Sequence, residues 1–163
     1  MNLQGHEQFF LEAGREAEQS LCLRDRCGAV VALNGAIIGR GFNAPPKNDI
    51  ALRKCALDFK ESRKPKLDRT CCVHAEWRAI IDALRCARNL ERCILYFARV
   101  DENGMIKSGE PYCTVCSRLA MDTGIAQFGL WHEAGIRLYD TTEYNELSYQ
   151  FHLKKADKFT VIK

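Results

Sequence analysis

The sequence predicts an α/β fold, a three-layer α/β/α sandwich around a mixed five-stranded sheet. Three observations predict it. Helical stripes of apolar residues are interrupted by short, β-branched apolar runs. Two of those runs flank Asn34-Gly35, a strong two-residue hairpin signal. After that hairpin, apolar runs and helical stripes alternate, so the helices become crossovers that cover both faces of the sheet and make the strands they join parallel.

The elements follow in order. Phe9, Phe10, Ala13, Ala17 and Leu21 form a helical stripe within His6 to about Cys22. Gly28–Leu33 and Ala36–Phe42 are the hairpin strands, and Asn43-Ala-Pro-Pro-Lys47 breaks the pattern as a loop. Ile50–Phe59 is a possible short helix, followed by a basic, solvated stretch through Arg69. Ala75, Ala79, Ile80, Ala83 and Leu84 place a firm helix within Val73–Cys86. Cys93–Val100 is a strand, Thr114–Asp122 a helix with Gly124 as its cap, and Ile125–Trp131 a strand. Gly135–Tyr139 is a short strand, and a closing helix runs from Thr141 to about Lys155, with Thr142 available as its N-cap.

The 163 residues carry no repeat and no Gly/Ser linker, so a single domain over residues 1–163 is expected. A hydrophobic share of 47% suffices for a core without staples. The net charge of +3 suits a small phosphorylated ligand and gives no special reason to expect polymeric nucleic acid. No apolar run approaches membrane-spanning length, and the first residues lack a signal-peptide layout, so a cytosolic location without a membrane partner is expected.

Nine cysteines, an odd count without a secretion signal, argue against a disulfide framework and for some thiols as metal ligands. Two segments rise above core packing: Cys72-Val-His-Ala-Glu-Trp77 and Pro111-Tyr-Cys-Thr-Val-Cys116. Cys113 and Cys116 bring two thiolates to one ion and His74 offers a third ligand, leaving a tetrahedral zinc one open position for water. Glu76 is the candidate base. Residues two apart on a regular helix diverge by about 200°, so His74 and Glu76 converge only at a helix start, where the apolar periodicity indeed begins. Cys113 and Cys116 stand at the next helix start. Two helix N-termini then face the ion and restore the positive potential that two thiolates cancel. A redox pair at Cys113 and Cys116, or a zinc-stabilised binding module without chemistry, are the rival readings.

His74-Ala-Glu76 followed by Cys113-Thr-Val-Cys116 resembles the H-x-E…P-C-x-x-C signature of the zinc-dependent cytidine and deoxycytidylate deaminase superfamily. Arg26-Cys-Gly-Ala-Val-Val31, Gly39-Arg-Gly-Phe-Asn43 and Thr123-Gly-Ile125 extend the resemblance over roughly residues 6 to 131. It implies zinc as the sole cofactor and hydrolytic removal of a nucleobase amino group, with Glu76 as proton shuttle. It also implies that the Ala75 backbone N–H meets the base carbonyl, that Asn43 meets the sugar, and that the protein is a homo-oligomer. The thirty residues between Asn43 and His74 resemble deoxycytidylate deaminases, so a cytosine nucleotide is the first choice of substrate. Purine derivatives and other small heterocycles remain open. Lys47, Arg53, Lys54 or Arg78 are candidates to meet a phosphate. Cys22 or Cys27 with Cys55 and Cys71 or Cys72 are candidates for a second, structural metal. Three departures stand out: Tyr112 separates Pro111 from Cys113, Arg78 replaces an expected Asn, and the segment after Trp131 matches no subfamily.

Overall fold

A computed structural model describes residues 5–54, 71–87 and 89–157, with side chains as far as 151 in the last helix. The chain forms α1 (Glu7–Glu18), β1 (Arg26–Leu33), β2 (Ala36–Phe42), α2 (Ala75–Cys86), β3 (Ile94–Val100) and β4 (Ile106–Lys107). It continues through α3 (Thr114–Asp122), β5 (Gln127–His132), β6 (Gly135–Asp140) and α4 (Thr141–Asp157). No helix among the described residues is long and apolar enough to cross a membrane.

The sheet runs β2-β1-β3-β5-β6. β1 pairs antiparallel with both β2 and β3, β5 antiparallel with β6, and β3 parallel with β5. The parallel pair is the one joined by a helical crossover, α3, as the length of that connection requires. Asn34 and Gly35 both adopt positive φ, the twist-matched hairpin turn that their pairing predicts. Five strands lie on this path, and β4 adds a short sixth that the sequence reading did not anticipate. On β3, β5 pairs with Ile94–Phe97, and β4 takes up the ladder positions of Arg99 and Val100 beyond it. Backbone groups at that end would otherwise lack partners.

Both faces of the sheet are covered. Val30, Ala32, Tyr96 and Ala98 meet Phe9, Phe10 and Ala13 of α1. The alternate residues Ala29, Val31, Leu95 and Phe97 meet Ala75, Ala79, Ile80 and Ala83 of α2 and Ala120 of α3. A strand buried on both sides reads as a continuous apolar run, which explains the unbroken Ala29–Ala32 stretch. Two glycines allow close helix approach. A Cβ on Gly28 would lie 2.0 Å from the Ala13 carbonyl of α1, and one on Gly41 would lie 2.4 Å from the Ala75 carbonyl of α2.

Two local expectations change. Of the short helix expected over 50–59, Ile50–Leu52 form a single 3₁₀ turn, and residues from 55 onward lie outside the described residues. The cap of α4 is Asp140 rather than Thr142: the helix begins at Thr141 as expected, so the residue before it caps, and its Oδ1 accepts from the Thr142 N–H at 2.8 Å.

Candidate active site

His74 and Cys113 occupy equivalent positions, each the N-cap of a helix. His74 is extended (φ −65°, ψ 148°) before α2, and Cys113 is extended (φ −87°, ψ 93°) before α3. The segment ahead of α2 is fixed by the Val73–Ala44 bridge, in which Val73 N–H donates to the Ala44 carbonyl at 2.8 Å. The Cys113 sulfur accepts from the Cys116 N–H at 3.4 Å, as a capping side chain does. Both helix starts therefore converge on one point.

At that point His74 Nδ1 lies 3.1 Å from Cys116 Sγ and 3.6 Å from Cys113 Sγ, and the two sulfurs are 3.0 Å apart. The sulfur separation is far beyond a disulfide bond, and both thiols are free. Ligand atoms around one tetrahedral zinc stand roughly 3.5–3.8 Å apart, given bonds near 2.1–2.3 Å. The nitrogen–sulfur distances approach that, and the sulfurs need to separate by under about 1 Å. The donor set therefore fits zinc. Among the described residues, His74, Cys113 and Cys116 are the one group of three such side chains close enough to hold a metal ion.

The electrostatics agree with this use. The hydrogen bond with Cys116 holds the Cys113 thiol down to about 4, with His74 contributing further, whereas burial pushes Cys116 well up. The two thiols thus differ in acidity, and a metal ion would favour the thiolate form of both. Glu76 is 5% exposed. Burial pushes its carboxyl above the usual range and the Cys113 charge adds to this, against the lowering influence of His74. A carboxyl whose proton affinity is raised in this way is suited to accepting and returning a proton.

A cavity of about 160 Å³ opens beside these groups, with Ala75 and Glu76 on its floor. Asn43 faces it, but its side chain also ties the loop: Oδ1 accepts from the Cys27 N–H at 2.8 Å and from Ser20 Oγ at 2.6 Å, and Nδ2 donates to the Asp25 carbonyl at 2.8 Å. Arg78 lies outside the cavity lining. Its guanidinium donates to the Pro45 carbonyl at 2.9 Å, the Ala44 carbonyl at 3.3 Å and Asn48 Oδ1 at 2.6 Å. Nor do Lys47, Arg53 and Lys54 reach the lining, and Arg53 donates to the Leu21 carbonyl at 3.3 Å. The cavity wall instead contains Arg24, Asp25, Arg99 and Tyr112, which sequence reasoning missed as a group. Register supplied the overlooked signal: Arg99 follows Leu95 and Phe97 on the α2-facing side of β3. The cysteines offered for a second metal divide. Cys22, Cys27, Cys71 and Cys72 all line this same cavity, with the Cys71 and Cys72 sulfurs 4.0 Å apart, and Cys55 lies outside the described residues. Burial pushes the Cys27 thiol up to about 12.

Residues 3–130 match the family model described as the cytidine and deoxycytidylate deaminase zinc-binding region. The chain belongs to this family. It is 27% identical over 130 residues to deoxycytidylate deaminase of Schizosaccharomyces pombe, covering 76% of this chain. It spans about a third of the length of that curated relative, 34%. Among solved structures, dCMP deaminase of the cyanophage S-TIM5 in complex with dCMP and dUMP is 20% identical with a TM-score of 0.55, over 78% of this chain and 81% of that one. Cytidine deaminase from Burkholderia pseudomallei is 14% identical with a TM-score of 0.57, over 85% and 94%. The mixed α/β sandwich expected from the sequence is therefore the fold of this deaminase family. Its zinc-binding region spans the two helix starts that bring His74, Cys113 and Cys116 within binding distance of one ion.

Proposed function

We propose that the chain is a zinc-dependent deaminase that converts a cytosine nucleotide, deoxycytidine monophosphate first, to its uracil counterpart. Water is consumed, the ring C–NH₂ becomes C=O, and ammonia leaves. The observation that carries this reading is the burial of Glu76 on the cavity floor, beside an imidazole and two thiols gathered at two helix starts. Family membership supports an enzyme acting on a nucleotide or nucleobase, and the Schizosaccharomyces pombe relative supports the deoxycytidylate choice.

His74, Cys113 and Cys116 would hold the zinc, which would supply the Lewis acidity that makes water a nucleophile at neutral pH. Glu76 accepts the proton from the attacking water, then returns protons to the ring nitrogen and to the departing ammonia. Its raised proton affinity in the buried site favours holding that proton between steps. Ala75 is the first residue of α2, where a backbone N–H has no intrahelical acceptor. That N–H serves the base carbonyl. Asn43 positions the loop around the sugar, with one amide N–H beyond its three loop contacts. Arg78 acts indirectly, by clamping the Ala44–Asn48 loop to the first turn of α2. The protein acts as one domain, in a homo-oligomer, on a small molecule rather than on polymeric nucleic acid.

The test is ammonia release from a panel of free bases, nucleosides, monophosphates, single-stranded DNA and transfer RNA. Deoxycytidine monophosphate reacts best under this proposal, with weak salt dependence because few phosphates are contacted. Preference for a purine, or a requirement for polymer, overturns the substrate and leaves the zinc chemistry in place.

A further inference from the structure

We propose that Arg99 is the specificity residue of this site and that it receives the phosphate monoester of the substrate. The inference rests on the deaminase reading above and names the group that selects a nucleotide over a nucleoside. Arg99 sits near the end of β3, directly opposite Cys27 of β1, and its side chain enters the cavity that has Glu76 on its floor.

Its guanidinium is held by the Cys27 thiol, the Asp25 carboxylate and Tyr112, and its Nε is left over for a ligand. It lies over the Tyr112 ring at 5.9 Å, and Nη2 reaches the Tyr112 hydroxyl only at 3.4 Å. Asp25 Oδ1 stands 3.7 Å from Nε, too far for a hydrogen bond, and Nε is buried without an acceptor among the described residues. A buried donor without a partner carries a cost that a bound oxyanion removes. The planar fork of an arginine matches phosphate with two parallel N–H donors. Arg24 adds a second cation to the same lining, which also holds the Asp25 and Glu76 carboxyl groups. By contrast, Arg78 and Arg53 donate to backbone carbonyls and stand outside the cavity. Tyr112, the residue inserted between Pro111 and Cys113, thereby gains a role as the platform that orients Arg99.

The test compares kcat/KM for deoxycytidine and its 5′-monophosphate in the zinc-loaded full chain, for wild type, Arg99→Gln, Arg99→Lys and Asp25→Asn. Wild type prefers the monophosphate. Arg99→Gln lowers kcat/KM for the monophosphate by roughly 10- to 100-fold, mostly through KM, and leaves deoxycytidine nearly unchanged. Arg99→Lys retains part of the preference, and Asp25→Asn, which removes the competing carboxylate, lowers KM for the monophosphate. An equal loss on both substrates, a preserved preference in Arg99→Gln, or no effect of Asp25→Asn overturns the assignment. If neither cytosine compound is turned over, the substrate reading has failed, and Arg99 is then judged on inorganic phosphate alone. Thermal stabilisation by phosphate in wild type but not in Arg99→Gln supports the subsite, and equal stabilisation in both overturns it.

Discussion

Replacing Gly41 by Ala tests whether the close approach of β2 to α2 sets the metal site. The added Cβ would lie 2.4 Å from the Ala75 carbonyl and 2.5 Å from the Ala79 nitrogen, both backbone atoms of the first turns of α2. Restoring ordinary contact, near 3.4 Å, moves that turn by about 1 Å. His74 is the N-cap of the same turn, and metal sites tolerate shifts of only about 0.2 Å in ligand distance. Overpacking costs about 2–3 kcal/mol, which for a chain of this size lowers Tm by roughly 4–12 °C. Zinc affinity should fall by roughly 10- to 100-fold, as when groups supporting a ligand are lost. Gly28→Ala is the control. Its Cβ would lie 2.0 Å from the Ala13 carbonyl on the opposite face, so α1 yields rather than α2. Comparable destabilisation with near-normal zinc affinity is expected there. Thermal melts and chelator competition read both quantities. Wild-type zinc affinity in Gly41→Ala, or equal zinc loss in Gly28→Ala, refutes the reasoning.

Three further outcomes follow from the site. Cys113→Ala should lose the single zinc on metal analysis, and wild-type protein should show no reducible disulfide; metal-free protein with full activity would remove the account. Cys27, held near 12 by burial, should resist alkylation at pH 8, because the thiolate is the reactive form and lies about four pH units away, whereas exposed Cys86 should react, as peptide mass mapping will show. Asn43→Ala removes three hydrogen bonds that tie the loop after β2 to Ser20, Asp25 and Cys27, and should cost about 1–3 kcal/mol by denaturant melts while raising KM more than it lowers kcat.

The sequence patterns that read correctly are local ones. Helix α2 announces itself because Ala75, Ala79, Ile80 and Ala83 all lie on its buried face, and His74 and Glu76 converge because the apolar stripe starts between them. The Asn34-Gly35 turn likewise fixes the pairing of Leu33 with Ala36 and Ala32 with Ile37, beyond which the register shifts by one residue. What escaped notice depends on contacts distant in sequence. Arg78 looks like a free cation two residues after Glu76, yet Ala44, Pro45 and Asn48 engage it. Arg99 shares the α2-facing side of β3 with Leu95 and Phe97, but that the space beside it is a cavity depends on Asp25, Asn43 and Tyr112, which lie far from one another in sequence. The β4 strand is two residues long, too short for any periodicity to reveal.

The role proposed for Glu76, moving the protons of a zinc-dependent deamination, is tested most directly by comparing ammonia release from wild type and Glu76→Gln at matched zinc content. Gln preserves the shape and removes the proton carrier but no metal ligand. Turnover of deoxycytidine monophosphate should fall by several orders of magnitude, with zinc content and melting behaviour retained. Near wild-type turnover in a zinc-loaded Glu76→Gln protein would contradict the account.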